Sequence, residues 1–133
     1  MTRARPAIHQ VRVAHPTASI ERMRHFYGDL LGLEEIGSFV DHAGYDGVMF
    51  ACPQRAFHLE FTASTSCEIS SWSAESLLVL YVPDRAEYER LSGRLTAFDV
   101  PLVQPNNPYW ERHGMTFLDP DGRRVVLANL AGL

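Results

Sequence analysis

The chain has few cysteines and no long apolar run. Cys52 and Cys67 are its two thiols, and their separation fits no metal-binding spacing. No basic segment followed by an apolar core marks an export signal. Free thiols are therefore expected, and with them a cytoplasmic location. No apolar stretch approaches the ~20 residues of a membrane span, so no membrane partner is expected. Clustered positive charge is missing as well. The net charge is −4, and the arginines are scattered (Arg3, Arg5, Arg12, Arg22, Arg24). That balance argues against nucleic acid, whose phosphates require clustered Lys and Arg. The Arg3–Arg5 start reads as a solvated tail. What is present is 133 residues, 46% of them hydrophobic, enough for one domain with a sizeable core.

That domain is written twice. Pro16 ends a short apolar strand and opens a helical stretch, and Pro83 does the same 67 residues later. At the same shift Leu33 meets Val100, Gly47 meets Gly114, Phe50 meets Phe117 and Pro53 meets Pro120. A long period repeated once means two copies of one supersecondary unit rather than a solenoid. Each copy reads strand, helix, then three strands. Within the single domain 1–133, the first unit covers 7–62, a linker 63–76 and the second unit 77–130.

Residues 8–14 alternate as a strand. Thr17 or Ser19 can cap a helix over 18–31, whose stripe is Ile20, Met23, Phe26, Leu30 and Leu31, with Gly32 at its end. Strands are predicted over 35–41, 45–51 and 56–62, with Gly44 and Pro53-Gln54 as turns. Gly44 and Gly47 suit a tight hairpin. The Ser- and Thr-rich stretch 62–76 lacks periodicity, and Trp72 within it is expected to pack over an edge or a partner chain. In the second unit a strand runs over 77–82. Asp84 and Glu87 then form a capping box, and the helix buries Tyr88, Leu91, Leu95 and Phe98. Strands over 113–118 and 123–129 are joined by the turn Asp119-Pro120-Asp121-Gly122. The loop 100–112, with Asn107, Tyr109 and Trp110, is a candidate pocket rim.

Three segments carry a resemblance: Phe26-Tyr27 with Leu31-Gly32-Leu33, then His58-Leu59-Glu60-Phe61, then Asp119-Pro120-Asp121-Gly122. With the twofold repeat they resemble the vicinal oxygen chelate superfamily, which includes glyoxalase I, extradiol dioxygenases, and bleomycin- and fosfomycin-resistance proteins. The resemblance implies an α+β fold in which two βαβββ modules form a curved mixed sheet around a cup. It also implies a homodimer, and in the enzymes a divalent metal held by the first and last strands of each module. Matched to this chain, those positions are Ile8, Glu60, Leu77 and Val126. Only Glu60 offers a donor, whereas a divalent ion needs several to offset its lost hydration. His9, beside Ile8, would share a face with Val11 and Val13. No metal or other cofactor is therefore expected.

Period two assigns the cup lining. Ile8, Gln10 and Arg12 face it from the first strand, His58, Glu60 and Thr62 from the fourth, Leu77, Val79 and Tyr81 from the fifth, and Arg124, Val126 and Ala128 from the last. An apolar cup with a few polar groups suits a small organic ligand. Gln10, Arg12, Tyr81, Asn107, Tyr109 and Trp110 are the candidate ligand contacts. Glu60 reads either as a general base or anchoring carboxylate, or as a structural partner of Arg12. His58 reads as a proton shuttle orienting Glu60, or as a sheet histidine satisfied by backbone or water. The expected function is binding of a small organic molecule without metal, as in bleomycin-resistance-type proteins. The alternative is a glyoxalase-like lyase or isomerase, or a dioxygenase, using a metal or Glu60 as base.

Overall fold

A computed structural model describes residues 3–52, 56–66 and 68–133. The turn expected at Pro53-Gln54, and Cys67, lie outside the described residues. Strand β1, Val11–Pro16, leads into helix α1, Ile20–Met23, which continues as a π-helix over Arg24–Leu30. Ser19 caps α1, its Oγ accepting the Arg22 N–H at 3.2 Å. The single helix expected over 18–31 therefore has two pitches. The wider turn sends the Leu31 N–H to the Phe26 carbonyl, 3.0 Å away and five residues back. It buries Phe26, Tyr27 and Leu30. Gly32, at φ +78°, ends the helix in the left-handed region where a Cβ would be strained.

Strands β2 (Glu34–His42), β3 (Tyr45–Ala51) and β4 (Phe57–Ala63) follow. Ala43 and Gly44 both have positive φ, the geometry of a two-residue hairpin loop. Gly47 serves a different purpose from the one expected. It lies within β3, and a Cβ there would collide with the Phe39 ring. The first sheet has the order β1-β4-β3-β2, with β1 parallel to β4 and the other pairs antiparallel.

The second half repeats this plan. Strand β5 is Leu77–Tyr81 and helix α2 is Arg85–Ala97, capped by Asp84, whose carboxylate accepts the Glu87 N–H at 2.9 Å. Strand β6 (Leu102–Val103), helix α3 (Pro108–His113), β7 (Gly114–Leu118) and β8 (Arg124–Ala128) complete it. The sheet order is β5-β8-β7-β6, again mixed. The stretch expected to be a loop over 100–112 thus holds β6 and most of α3. Asn107 caps α3, with Pro108 in its first turn, where a missing N–H costs nothing. Phe98, expected on the buried face of α2, is 60% exposed because it is the residue just past the last helical turn.

One apolar core joins the two halves. It takes Met23, Phe26, Tyr27 and Leu30 from the first helix and Val48, Phe50, Leu59 and Phe61 from the first sheet. From the second half it takes Leu78, Tyr88, Leu95, Phe117, Val125 and Leu127. At its centre the Tyr27 hydroxyl donates to Asp119 Oδ2 at 2.6 Å, tying the first helix to the β7–β8 turn. Because strand side chains alternate, committing these residues to the core turns their neighbours onto the opposite face of each sheet. Those neighbours are the candidate site.

Candidate functional site

On the first sheet, the parallel register sets Arg12 beside His58 and Ala14 beside Glu60. Arg12, His58 and Glu60 therefore share the face turned away from Leu59 and Phe61. Arg12 Nη1 lies 3.7 Å from Glu60 Oε2, and Arg12 Nη2 lies 3.5 Å from His58 Nδ1. A guanidinium only donates, so Nδ1 accepts, and a neutral His58 ring carries its proton on Nε2. His58 is buried and the Glu60 side chain is 15% exposed, while Arg12 is 46% exposed. A nearly buried carboxylate needs a counter-charge, and Arg12 supplies it. Gln10 and Ile8, expected on this strand, lie ahead of Val11 in an exposed segment, and Ile8 is 70% exposed.

The strand register corrects the position matched to Ile8. In the second sheet Val79 pairs with Val126, and Leu77 stands two residues before Val79 on the same face. In the first sheet Ala14 pairs with Glu60, and the residue two before Ala14 is Arg12. Arg12, not Ile8, is thus the counterpart of Leu77. The helix caps Ser19 and Asp84 agree, being 65 residues apart rather than the 67 of the proline landmarks. The four positions become Arg12, Glu60, Leu77 and Val126. They do not fit a divalent ion. Two offer hydrocarbon, and the third is a guanidinium that cannot ligate and repels a cation. Among the described residues, no group of three or more His, Cys, Asp or Glu side chains is placed to hold a metal.

The second sheet gathers an aromatic group. The Tyr81 ring lies 6.4 Å from that of Trp110, Trp110 lies 4.9 Å from Tyr109, and Tyr109 lies 4.7 Å from His113. Helix α3 makes this possible by placing Tyr109, Trp110 and His113 within one turn. Asn107 is spent on the cap, its Oδ1 accepting the Tyr109 N–H at 3.0 Å. Val126 and Ala128 are fully buried, and the neighbouring Thr116 hydroxyl is buried with no hydrogen-bond partner among the described residues. The structure thus brings Arg12, His58 and Glu60 together as one group, and Tyr81, Tyr109 and Trp110 as another. Two cavities of about 640 and 500 Å³ lie elsewhere. The first is lined by residues such as Arg22, His25, Phe98 and Pro101, the second by Leu33, Cys52, Phe57 and the β5 edge. Burial pushes the Cys52 thiol up.

Sequence reasoning missed a buried polar network. Asp119, read as a turn residue, accepts from the Tyr27 hydroxyl and from the Asp121 and Arg123 N–H groups. Burial raises its carboxyl above the ordinary carboxylate range despite these donors. Burial and the nearby Asp119 charge raise the Tyr27 hydroxyl well above its own. The available signal was a tyrosine on a buried helix stripe, which needs a polar partner. Trp72 packs within the chain. Its ring stands 4.7 Å from the Arg123 guanidinium carbon and 4.5 Å from the His15 ring. Burial, then the Arg123 charge, lowers the His15 imidazole below its usual value.

Comparison with known proteins follows the same two halves. Residues 11–62 match the YycE-like N-terminal domain, and residues 75–129 the YycE-like C-terminal domain. The chain is 40% identical over 125 residues to the uncharacterized protein YycE of Bacillus subtilis (strain 168), covering 93% of this chain and 90% of that one. A crystal structure of a YycE protein from Bacillus subtilis superposes with a TM-score of 0.87 at 39% identity, over 95% of this chain and 93% of that one. The fosfomycin resistance protein FosX from Mesorhizobium loti superposes with a TM-score of 0.71 at 12% identity, over 90% of each chain. At that identity the likeness to FosX is one of fold: the α+β arrangement of paired mixed sheets.

Proposed function

This chain belongs to the YycE-like family, within the vicinal oxygen chelate superfamily, and from that premise we propose that it binds a small organic molecule without a metal ion. The observation that carries this reading is the set of side chains at the four inner-strand positions. Arg12, Leu77 and Val126 cannot coordinate a cation, and a lone Glu60 cannot hold one against water. An apolar floor with a few polar groups is instead the composition of a small-molecule site. In this reading Arg12, Glu60 and His58 orient the ligand's polar end, while Tyr81, Tyr109 and Trp110 offer apolar surface to its body. A homodimer brings the polar face of one chain against the apolar face of its partner, and the cytoplasm is its setting.

A second reading keeps Glu60 as a base with His58 beside it, acting on an acidic C–H bond. Its support is the low exposure of both groups on one strand. One experiment separates the readings. Protein dialysed against EDTA is screened by thermal shift against aromatic and aliphatic compounds, and each hit is followed for turnover with wild type and Glu60→Gln. The binding reading expects hits that survive EDTA and no turnover. Turnover lost in Glu60→Gln with binding retained favours the second reading. Binding that needs added Mn²⁺, Ni²⁺ or Zn²⁺ contradicts both.

A further inference from the structure

The Arg12 guanidinium is under-used. Its partners among the described residues are Glu60 at 3.7 Å and His58 at 3.5 Å. Ordinary N–H···O bonds close at 2.7–3.2 Å. One N–H of Nη2 reaches His58 Nδ1 at long range, Nη1 faces the Glu60 carboxylate without closing on it, and the remaining donors of the planar fork have no partner among the described residues. Glu60 and His58 hold the guanidinium over the sheet face, and about half of the side chain remains open to solvent. Around it the sheet is apolar: β3 sets Met49 beside Glu60 and Ala51 beside His58. A planar fork with donors to spare above hydrocarbon can receive a planar or tetrahedral oxyanion on an organic body.

We propose that Arg12 anchors an anionic oxygen of the ligand, a carboxylate or a phosphonate, and so supplies from the protein itself the positive charge at this face. This rests on the small-molecule reading above and names the ligand's chemical class. The register gives it a structural basis: Arg12 occupies the strand position whose counterpart in the second sheet is Leu77, so the positive charge belongs to one half of the repeat only. The anion bridges free N–H groups of Arg12, while Glu60 and His58 keep the guanidinium from swinging away. The part of the ligand next to its anion lies on Met49, beside Glu60 on the neighbouring strand, and the rest of its body meets the aromatic group of the proposed site.

The test is titration calorimetry with benzoate, phenylphosphonate and neutral benzamide, using wild type, Arg12→Gln and Arg12→Lys. Wild type is expected to prefer the two anions over benzamide by about tenfold or more, the range of a charge-assisted hydrogen bond. Arg12→Gln loses that preference while keeping benzamide-level affinity. Arg12→Lys keeps part of it, as a point charge without the fork. Far-ultraviolet circular dichroism confirms that the variants fold. An unchanged preference in Arg12→Gln, or equal binding of benzamide and the acids by wild type, overturns the proposal while leaving the small-molecule reading standing. Failure of all three probes, together with an empty screen in EDTA, overturns both.

Discussion

Tyr27 and Asp119 carry the polar contact on which the core turns, and their chemistry fixes a pH dependence. The 2.6 Å bond joins two buried groups whose protonated forms are both favoured by folding. A folded value raised above the unfolded one means that the folded chain holds the proton more tightly. Stability from such a group is complete below its unfolded value and drains away as pH rises towards its folded value. For Asp119 the loss begins near the ordinary 3.8, and for Tyr27 near the ordinary 10.0. Urea unfolding midpoints for wild type should therefore fall as pH rises above 10, and the Tyr27→Phe curve should be flatter there. At neutral pH, Tyr27→Phe should cost about 1.5–3 kcal/mol, the worth of a buried hydrogen bond to a carboxyl. Absorbance at 295 nm should show Tyr27 ionising only as the circular dichroism signal is lost. Reversible ionisation of every tyrosine in the folded protein would refute this. His15 has the opposite sign. Its lowered value means that stability from it is present above 6.5 and is lost as pH falls below.

At the scale of elements, the helix caps and the turn glycines Gly32 and Gly44 were the most readable features. The Asp84 cap was visible as Asp-x-x-Glu, and the structure forms the Asp84 half of the expected box, the bond from the Glu87 N–H, while the Glu87 carboxylate accepts from Arg90. Asp84→Ala should lower stability by about 1 kcal/mol, checked by urea denaturation. Gly114 begins β7 where a Cβ would strike the Leu127 carbonyl oxygen on the paired strand. Backbone cannot step aside as a side chain can, so Gly114→Ala should be the more damaging change. A thermal midpoint within 2 °C of wild type, on the order of the shift from a fraction of a kcal/mol, would refute that. The sequence signalled strand against helix nearly everywhere, because alternation and the 3.6-residue stripe are local properties. It did not signal the π-helix, since one wider turn leaves the apolar stripe almost unchanged. It also hid α3, whose Asn-Pro start was plain but was outweighed by three prolines in the same stretch. The strand start at Val11 rather than Ile8 was invisible for another reason. The end of a strand depends on how far its neighbour runs, and β4 begins at Phe57, opposite Val11.

For the whole molecule, the twofold repeat was the strongest message in the sequence, and the shared core shows how the halves depend on each other. The candidate site was less legible. His58 and Glu60 were found because period two is robust inside a strand. The position matched to Ile8 was missed because period two puts Ile8, Gln10 and Arg12 on one face alike and does not choose among them. Only pairing across the sheet fixed the register. Glu60 and Arg12 lie on one face, and the aromatic group of Tyr81, Tyr109 and Trp110 forms in the other half. A dimer that joins such faces should appear in solution, so light scattering coupled to size exclusion should give twice the 15.0 kDa chain mass. A monomer that still binds ligand at full affinity would refute the shared cup. The central claim, that this fold holds an organic ligand where Arg12 replaces a cation, meets its most direct test in native mass spectrometry of protein purified without chelator and exposed to Mn²⁺, Ni²⁺ and Zn²⁺. The account predicts peaks at the protein mass alone or with an organic adduct. A stoichiometric divalent metal adduct that disappears in Glu60→Gln would contradict it.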